Sequence, residues 1–343
     1  MEKKLNVAVI GLGMGRSHAH AVEVNGHNLV ALCEINEAAI ERAIKEFNFP
    51  RDIIVDDWKS LVNREDIDAV IIATPDQQHR EQCEAFLLAG KHVMCEKPLA
   101  LNREDLEAII KASKKTDKKF MVGQICRFTP SFIKAKQLIE EGVLGELYFI
   151  ESEYAHDYAH LFADNPVDYW RSDPKRHGVV GGGCHAVDLL RWVAGNDPIE
   201  VFAYGTHKLL PCVPYDDATV ALMKYPNDIM GKVFVSTGCK RNYTMRTVLY
   251  GTKGTIICDN GSDFLTLFKT DEKGDLVEYK GEQIPVEINN HNTVKEFEVF
   301  ADCIVNDKKV EMDGVEGARV VAICLAIVES SETGKIVIPN YEF

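Results

Sequence analysis

The sequence predicts an α/β protein in two parts, an N-terminal doubly wound parallel sheet and a C-terminal α+β half. Three observations carry this prediction. From Leu5 to Gly123, apolar strand-like runs alternate with helix-like stretches. Three glycines, Gly11, Gly13 and Gly15, stand between the first run and the first helix-like stretch. After Gly123 the alternation stops and strand-like runs follow one another, which marks a separate α+β domain. With 343 residues and 46% hydrophobic content the chain can build two cores, and we divide it into domains 1–124 and 125–343.

Each element has a local reason. Residues 5–10 are a β-branched-rich apolar run, the mark of a buried parallel strand. A second run, 29–32, closes on Cys33-Glu34. Asn36 can cap a helix over 36–47 whose apolar face is Ala39, Ile40, Ala43, Ile44 and Phe47. Residues 57–63 read as a short helix, and 68–73 as an unbroken buried strand that stops at Thr74-Pro75. A helix over 77–89 is ended by Gly90. The strand 91–95 runs into Glu96-Lys97-Pro98, followed by a helix over 102–116 and a strand over 119–123. In the second half a helix is expected over 130–141. Strands follow at 147–153, 199–204, 218–225, 230–237, 246–250 and 255–259. Helices over 292–305 and 314–331 and a short strand over 335–338 close the chain.

The order strand, glycine turn, helix, strand, acid suits a dinucleotide. Glycines let the turn fold tightly and let the backbone approach a pyrophosphate. The helix N-terminus then offers free N–H groups and the positive end of its dipole. Gly11, Gly13, Met14 and Gly15 are therefore candidate cofactor-binding residues in a Rossmann-type domain. Glu34 follows about 20 residues later, where an acid binds a ribose 2′-hydroxyl. Its carboxylate would repel a 2′-phosphate, so NAD is favoured over NADP. The turn departs from G-x-G-x-x-G, because Arg16 holds the sixth position and Gly15 comes one residue early. Ligands of open parallel sheets bind beyond the carboxyl ends of the strands. That rule puts Thr74, Pro75, Asp76 and His79 after one strand, and Glu96 and Lys97 after the next, in reach of the cofactor.

A net charge of −14 argues against non-specific nucleic-acid binding and against anionic membranes. No run approaches the length of a membrane span, and the N-terminus lacks a signal-peptide pattern. The ten cysteines form no C-x-x-C pair and many sit in apolar runs, as buried thiols of a cytoplasmic protein would.

Several motifs join into a longer pattern. They are Gly15-x-x-His18, Thr74-Pro75 with His79, Gly90-Lys91-His92-Val93 running into Glu96-Lys97-Pro98, and Arg127-Phe128-x-Pro130 before Gly142-x-x-Gly145. Trp170-Arg171 with Asp173-Pro174, then His185-x-x-Asp188 near Leu189-Leu190-Arg191-Trp192, and Ser330-x-x-Thr333-Gly334-Lys335 complete it. Across nearly its whole length the chain resembles the glucose–fructose oxidoreductase / inositol dehydrogenase / MocA family of NAD(P)-dependent oxidoreductases. The resemblance implies oxidation of a CH–OH group of a sugar, inositol or related alcohol. It also implies a second domain whose open, mainly antiparallel sheet is buried in a homodimer or homotetramer.

Such a reaction needs a nicotinamide against the carbinol carbon and a base for the hydroxyl proton. The resemblance assigns that work to Lys97 and His185, with an assisting aspartate four residues before the histidine. Here that position is Gly181. Asp188, one helical turn after His185, is the first candidate for a substitute orienting acid, with capping or bracing of its helix as the equal alternative. The substrate itself is another source of the missing polar group. Lys97 itself could serve as the base if its pKa is lowered. Arg127, Tyr154 and His156 are candidate substrate contacts, and in a strand 147–158 Tyr154, His156 and Tyr158 would share a face. Arg171 is expected near the nicotinamide side, with an ion pair bracing the domains as the structural reading of Arg127 and Arg171. His156, His160, His185 and Asp188 are metal-ligand types, but their spacing matches no established motif and no metal is expected. The altered 181 position keeps two further readings in view. One is an enzyme that retains and recycles NAD for elimination, epimerisation or glycoside cleavage. The other is an NAD-binding regulatory protein.

Overall fold

The computed structural model describes residues 3–163 and 169–343. The chain forms two compact units, Met1–Ile125 with Asn292–Ala318 and Phe343, and Cys126–His291 with Arg319–Glu342. The break near residue 125 lies beside the sequence boundary, but 292–318, placed by sequence in the second domain, groups with the first.

The first unit alternates β1 (Asn6–Ile10), α1 (Gly15–Val24), β2 (Asn28–Cys33), α2 (Glu37–Phe47), β3 (Ile54–Val55), α3 (Lys59–Val62), β4 (Ala69–Ile72), α4 (His79–Leu88), β5 (His92–Glu96), α5 (Arg103–Ser113) and β6 (Phe120–Gly123). Its sheet runs β3-β2-β1-β4-β5-β6 with every pair parallel. That is the doubly wound dinucleotide-binding order, and the order reverses between β1 and β4. The apolar runs are buried as the pattern requires, with all four residues of β4 inaccessible to solvent. Asn36 caps α2 by accepting from the Ala39 N–H at 3.1 Å. β3 escaped the sequence reading because two residues carry no period.

The second unit contains α6 (Pro130–Glu140), β7 (Leu147–Ala155), α7 (Ala159–Phe162), α8 (Gly178–Gly181), α9 (Cys184–Ala194) and strands β8 (Glu200–Thr206), β9 (Ala218–Lys224), β10 (Met230–Ser236), β11 (Thr244–Gly251), β12 (Gly254–Asp259), β13 (Phe264–Lys269) and β14 (Glu282–Pro285). The sheet order is β14-β13-β12-β11-β7-β10-β9-β8, antiparallel except for β7 and β10. In β9, Thr219, Ala221 and Met223 are buried while Val220, Leu222 and Lys224 are exposed, the period-2 signature of a one-sided sheet. The buried face packs on α9. The other face presents Tyr204, Leu222, Met230 and Phe234 beside a Lys232–Glu151 ion pair. Sequence reasoning missed β13 and β14, and β14 (Glu-Gln-Ile-Pro) is too polar and short to read as a strand. The expected strand at 335–338 is only a single bridge between Val337 and Val201.

Two helices close the chain, α10 (Thr293–Val305) and α11 (Gly314–Thr333). α10 returns to the first unit because its buried Phe297 and Phe300 pack against α1, where Asn25 Nδ2 donates to the Val294 carbonyl at 3.0 Å.

Candidate active site

The glycine turn is shaped for a dinucleotide. Gly11 has φ +84°, and a Cβ there would lie 2.5 Å from the Ala73 carbonyl oxygen, so only glycine fits. A Cβ at Gly13 would meet nothing within 4 Å, which leaves open space over the turn. α1 then begins after Met14 with no side-chain cap, so its first N–H groups have no side-chain acceptor at the cap. Glu34, at the tip of β2, accepts from the Leu12 N–H at 2.8 Å with one oxygen and from Ile35 and Asn36 at 2.9 Å with the other. The acid is thereby fixed against the turn. Arg16 pairs with Glu46 at 2.8 Å through Nε and donates from Nη1 to the Gly13 carbonyl of the turn. These features fit an NAD-type cofactor with its pyrophosphate at the helix start and a ribose at Glu34.

The next two strand ends are tied together by His79. The ring is fully buried, and its nitrogens face the Pro98 carbonyl at 2.9 Å and the Thr74 carbonyl at 3.2 Å. His79 therefore braces the Thr74-Pro75 and Lys97-Pro98 segments and is not free to contact the cofactor, contrary to the sequence expectation. Thr74 Oγ1 donates to Gln82 Oε1 at 2.7 Å. Glu96 also faces inward. Its carboxylate accepts from His18 Nε2 at 2.8 Å and from the Lys97 N–H at 3.1 Å. Burial alone would raise this carboxyl, but His18 and then Lys97 bring it down to about 2. The role of Glu96 as a direct cofactor contact gives way to one as a support for the Lys97 main chain.

In the second unit, α9 carries His185 in its first turn, 3% exposed. Its ring stacks near Tyr154 of β7, with centroids 6.2 Å apart and planes 28° apart. β7 ends at Ala155, so the expected strand to Tyr158 is shorter. Tyr154, His156 and Tyr158 nevertheless meet, because the Tyr154 hydroxyl lies 2.6 Å from that of Tyr158 and 3.2 Å from His156 Nδ1. Tyr243 joins them, 4.7 Å from His156 between centroids. Burial pushes the Tyr154 and Tyr243 hydroxyls well above their usual range, so both stay neutral donors. Arg171 lies over the Trp170 ring at 4.1 Å and 5.8 Å from the Tyr158 ring, and its Nε donates to the Tyr169 hydroxyl at 3.0 Å. A cluster of hydroxyls, imidazoles and a guanidinium suits a polyhydroxylated molecule. Among the described residues no group of three His, Cys, Asp or Glu side chains is arranged to hold a metal ion.

Two expectations change. Asp188 is held by Arg127, which donates to its two oxygens at 2.8 Å from Nε and 2.6 Å from Nη2. The pair is buried, and Arg127 also lies 5.8 Å from the Trp192 ring. Both residues therefore brace the second unit, and Arg127 leaves the set of substrate contacts. The second change is at Gly181. The space for a side chain there is filled by the guanidinium of Arg176, itself 2% exposed and 4.8 Å from the Trp170 ring. The neighbouring Gly182 admits Tyr154 and the Tyr158 hydroxyl, at 2.6 and 2.8 Å from where its Cβ would be. The glycine run is thus a packing device for Arg176 and the tyrosines. Sequence reasoning missed Arg176 and Tyr243. Arg176 had a signal, an arginine five residues before a glycine at an acid's position; Tyr243, brought in from beyond β10, had none.

A dinucleotide-binding sheet of this order, joined to a unit with a buried histidine–tyrosine cluster, defines a two-domain nucleotide-dependent α/β protein. Comparison with known proteins narrows the class. Residues 5–124 match the model of the oxidoreductase family with an NAD-binding Rossmann fold, and 132–257 match the GFO/IDH/MocA C-terminal domain. An inositol 2-dehydrogenase of Rhizobium meliloti is 30% identical over 263 residues, covering 74% of this chain and 74% of the relative. A myo-inositol 2-dehydrogenase of Thermotoga maritima is 28% identical over 282 residues, covering 79% and 80%. A solved levoglucosan dehydrogenase in complex with NADH superposes with TM-score 0.88 at 26% identity, covering 98% of this chain and 100% of that one. The chain belongs to the Gfo/Idh/MocA family of oxidoreductases.

Proposed function

We propose that the protein is an NAD-dependent dehydrogenase that oxidises a secondary hydroxyl of an inositol, a sugar or a sugar-derived alcohol. The observation that carries this reading is Glu34 locked onto the glycine turn of an NAD-binding family domain. Relatives named for inositol and levoglucosan support the substrate class.

Bound NAD supplies the hydride acceptor. The protein's part is to hold the hydroxyl and take its proton. Lys97, which follows the end of β5, and His185, in the first turn of α9, are the groups assigned to that proton. With NAD bound, these residues would hold the hydroxyl and take up the one proton that oxidation of a CH–OH group to a carbonyl releases. Tyr154, Tyr158 and His156 are the assigned donors and acceptors for neighbouring hydroxyls. We further assign the open sheet face to a homodimer or homotetramer interface. With ten free cysteines, a cytoplasmic setting suits the chain. No helix among the described residues is long and apolar enough to cross a membrane.

The test is NADH appearance with a panel of inositols, aldoses, sugar acids and amino sugars, with NAD and NADP in parallel. Turnover on one polyol class with NAD, lost in Lys97→Met, supports the proposal. Tight NADH binding with no NADH formed from any compound overturns it in favour of an enzyme that recycles its cofactor or a regulatory protein.

A further inference from the structure

His18 stands between two buried carboxyl groups of the first unit. Its ring, on α1, is inaccessible to solvent. Nε2 meets Glu96 Oε1 at 2.8 Å, and the other Glu96 oxygen accepts the Lys97 N–H at 3.1 Å. Nδ1 has no hydrogen-bond partner and lies 4.0 Å from Glu296 Oε2, on α10. Glu296 is also inaccessible to solvent, and neither of its oxygens has a hydrogen-bond partner. A buried carboxylate without hydrogen bonds is costly, whereas a carboxylic acid offers a proton to the nitrogen it faces.

The surroundings favour this arrangement. β1 and β4, packed on α1, bring no titratable side chain, and β2 brings only Cys33. Arg16 on α1 is engaged with Glu46 of α2, and Lys295 on α10 with Glu298. α1 also carries His20, stacked on Phe47, and Glu23. His27 lies edge-on to Phe297 of α10, where Asp302 is engaged with Lys308. The charge that acts on Glu296 is that of Glu96, which is itself influenced by His18 and Lys97. Burial, reinforced by the Glu96 charge, raises the Glu296 carboxyl well above the carboxylate range, while Glu96 is held ionised. Two carboxyls pushed in opposite directions across one imidazole are a pattern for an acid and a base with distinct roles.

We propose that Glu296, His18 and Glu96 form a buried positioning triad behind Lys97, in which the Glu296 acid proton is shared with His18 Nδ1. His18 then donates from Nε2 to Glu96, and Glu96 fixes the main chain of Lys97. Closing the 4.0 Å gap to hydrogen-bond length needs a shift of only about 1 Å between α1 and α10. When the proton crosses, the Glu296 O–H bond breaks and an Nδ1–H bond forms, leaving a carboxylate and an imidazolium. The ion pair with Glu96 then strengthens. Glu296 is thus a positioning residue that acts through His18.

Infrared spectroscopy of the full chain tests the proton, and kinetics test the role. At neutral pH the protein should show the C=O stretch of a buried carboxylic acid, shifted by carbon-13 labelling of the glutamate carboxyls and absent in Glu296→Gln. The labelling arm needs no variant to fold. Glu296→Leu, which leaves Nδ1 without a donor, should lower kcat about tenfold with KM and NADH affinity little changed. Glu296→Gln, whose amide can still donate, should recover most of that loss. The kinetic arm rests on the dehydrogenase reading above; the spectroscopic arm does not, so failure of either is distinguishable. Absence of a glutamate acid band, its survival in Glu296→Gln, or equal kinetic losses in both variants would overturn the proposal.

Discussion

The guanidinium of Arg176 occupies the space in which a side chain at Gly181 would grow, with Cζ 2.5 Å from the ideal Cβ position. The position that the family resemblance gives to an aspartate is therefore filled by a cation from five residues upstream. Arg176 is 2% exposed and packed against Trp170, so it has little room to withdraw. Gly181→Asp should destabilise the fold by about 1–3 kcal/mol, the cost of overpacking a filled site. Arg176→Ala combined with Gly181→Asp should be more stable than the sum of the two single changes, because each removes the obstacle to the other. Urea denaturation of the four proteins measures this coupling. Additive values would show that the two sites are independent.

Much of this was legible in the sequence for physical reasons. A buried parallel strand must be continuously apolar, and a dinucleotide turn must be glycine-rich, so β1, β4 and the Gly11 turn could be read locally. Pairing between distant side chains could not. Asp188 lies one turn from His185, which made it look like that residue's partner. Its actual partner, Arg127, is 61 residues away. Likewise His79 follows a strand end as a cofactor ligand would, but its bond to Pro98 depends on how α4 packs beside β5.

The two glycines of the turn should behave differently. Gly11→Ala puts a Cβ onto the Ala73 carbonyl at positive φ and should cost about 1–3 kcal/mol of stability as well as NADH binding. Gly13→Val meets no protein atom at its Cβ, so the midpoint of unfolding should hold while NADH affinity falls about tenfold or more, ~1.4 kcal/mol. Fluorescence titration with NADH beside thermal unfolding separates the two effects. Unchanged affinity in Gly13→Val would remove the pyrophosphate from this turn.

Glu34 joins turn geometry to cofactor choice. Its three backbone hydrogen bonds aim one carboxylate at the end of β2. Glu34→Ala should lower kcat/KM for NAD and shift the NAD-to-NADP preference roughly ten- to hundredfold. That range corresponds to the about 1.5–3 kcal/mol of a hydrogen bond to a charged group. Paired assays with the two cofactors give the ratio directly, and an unchanged ratio would mean that discrimination lies elsewhere.

The Arg127–Asp188 pair should be structural. It is bidentate and buried, so Asp188→Asn leaves a guanidinium without its counter-charge and should cost about 3–5 kcal/mol. Turnover per folded molecule should keep the wild-type pH profile, because the Asp188 carboxylate is committed to Arg127. Chemical denaturation alongside a pH–rate curve decides between the roles. A displaced profile without loss of stability would restore Asp188 as the orienting acid.

The open face of the second sheet sets the last expectation. Val220 pairs with Phe234 across β9 and β10, and exposed Leu222 lies beside them on β9 while Met230 lies on β10. Glu151, between its partners Lys232 and Arg246, crosses the same face with its charge matched. An apolar face with internally paired charges is suited to burial against a second copy, since few unpaired charges would have to be desolvated. Light scattering after size exclusion should therefore report a dimer or tetramer for the native chain. Leu222→Asp with Phe234→Lys should yield a monomer with its NADH affinity intact, because neither residue belongs to the cofactor-binding unit. A native monomer, or an unchanged mass in the double variant, would leave this face to another use.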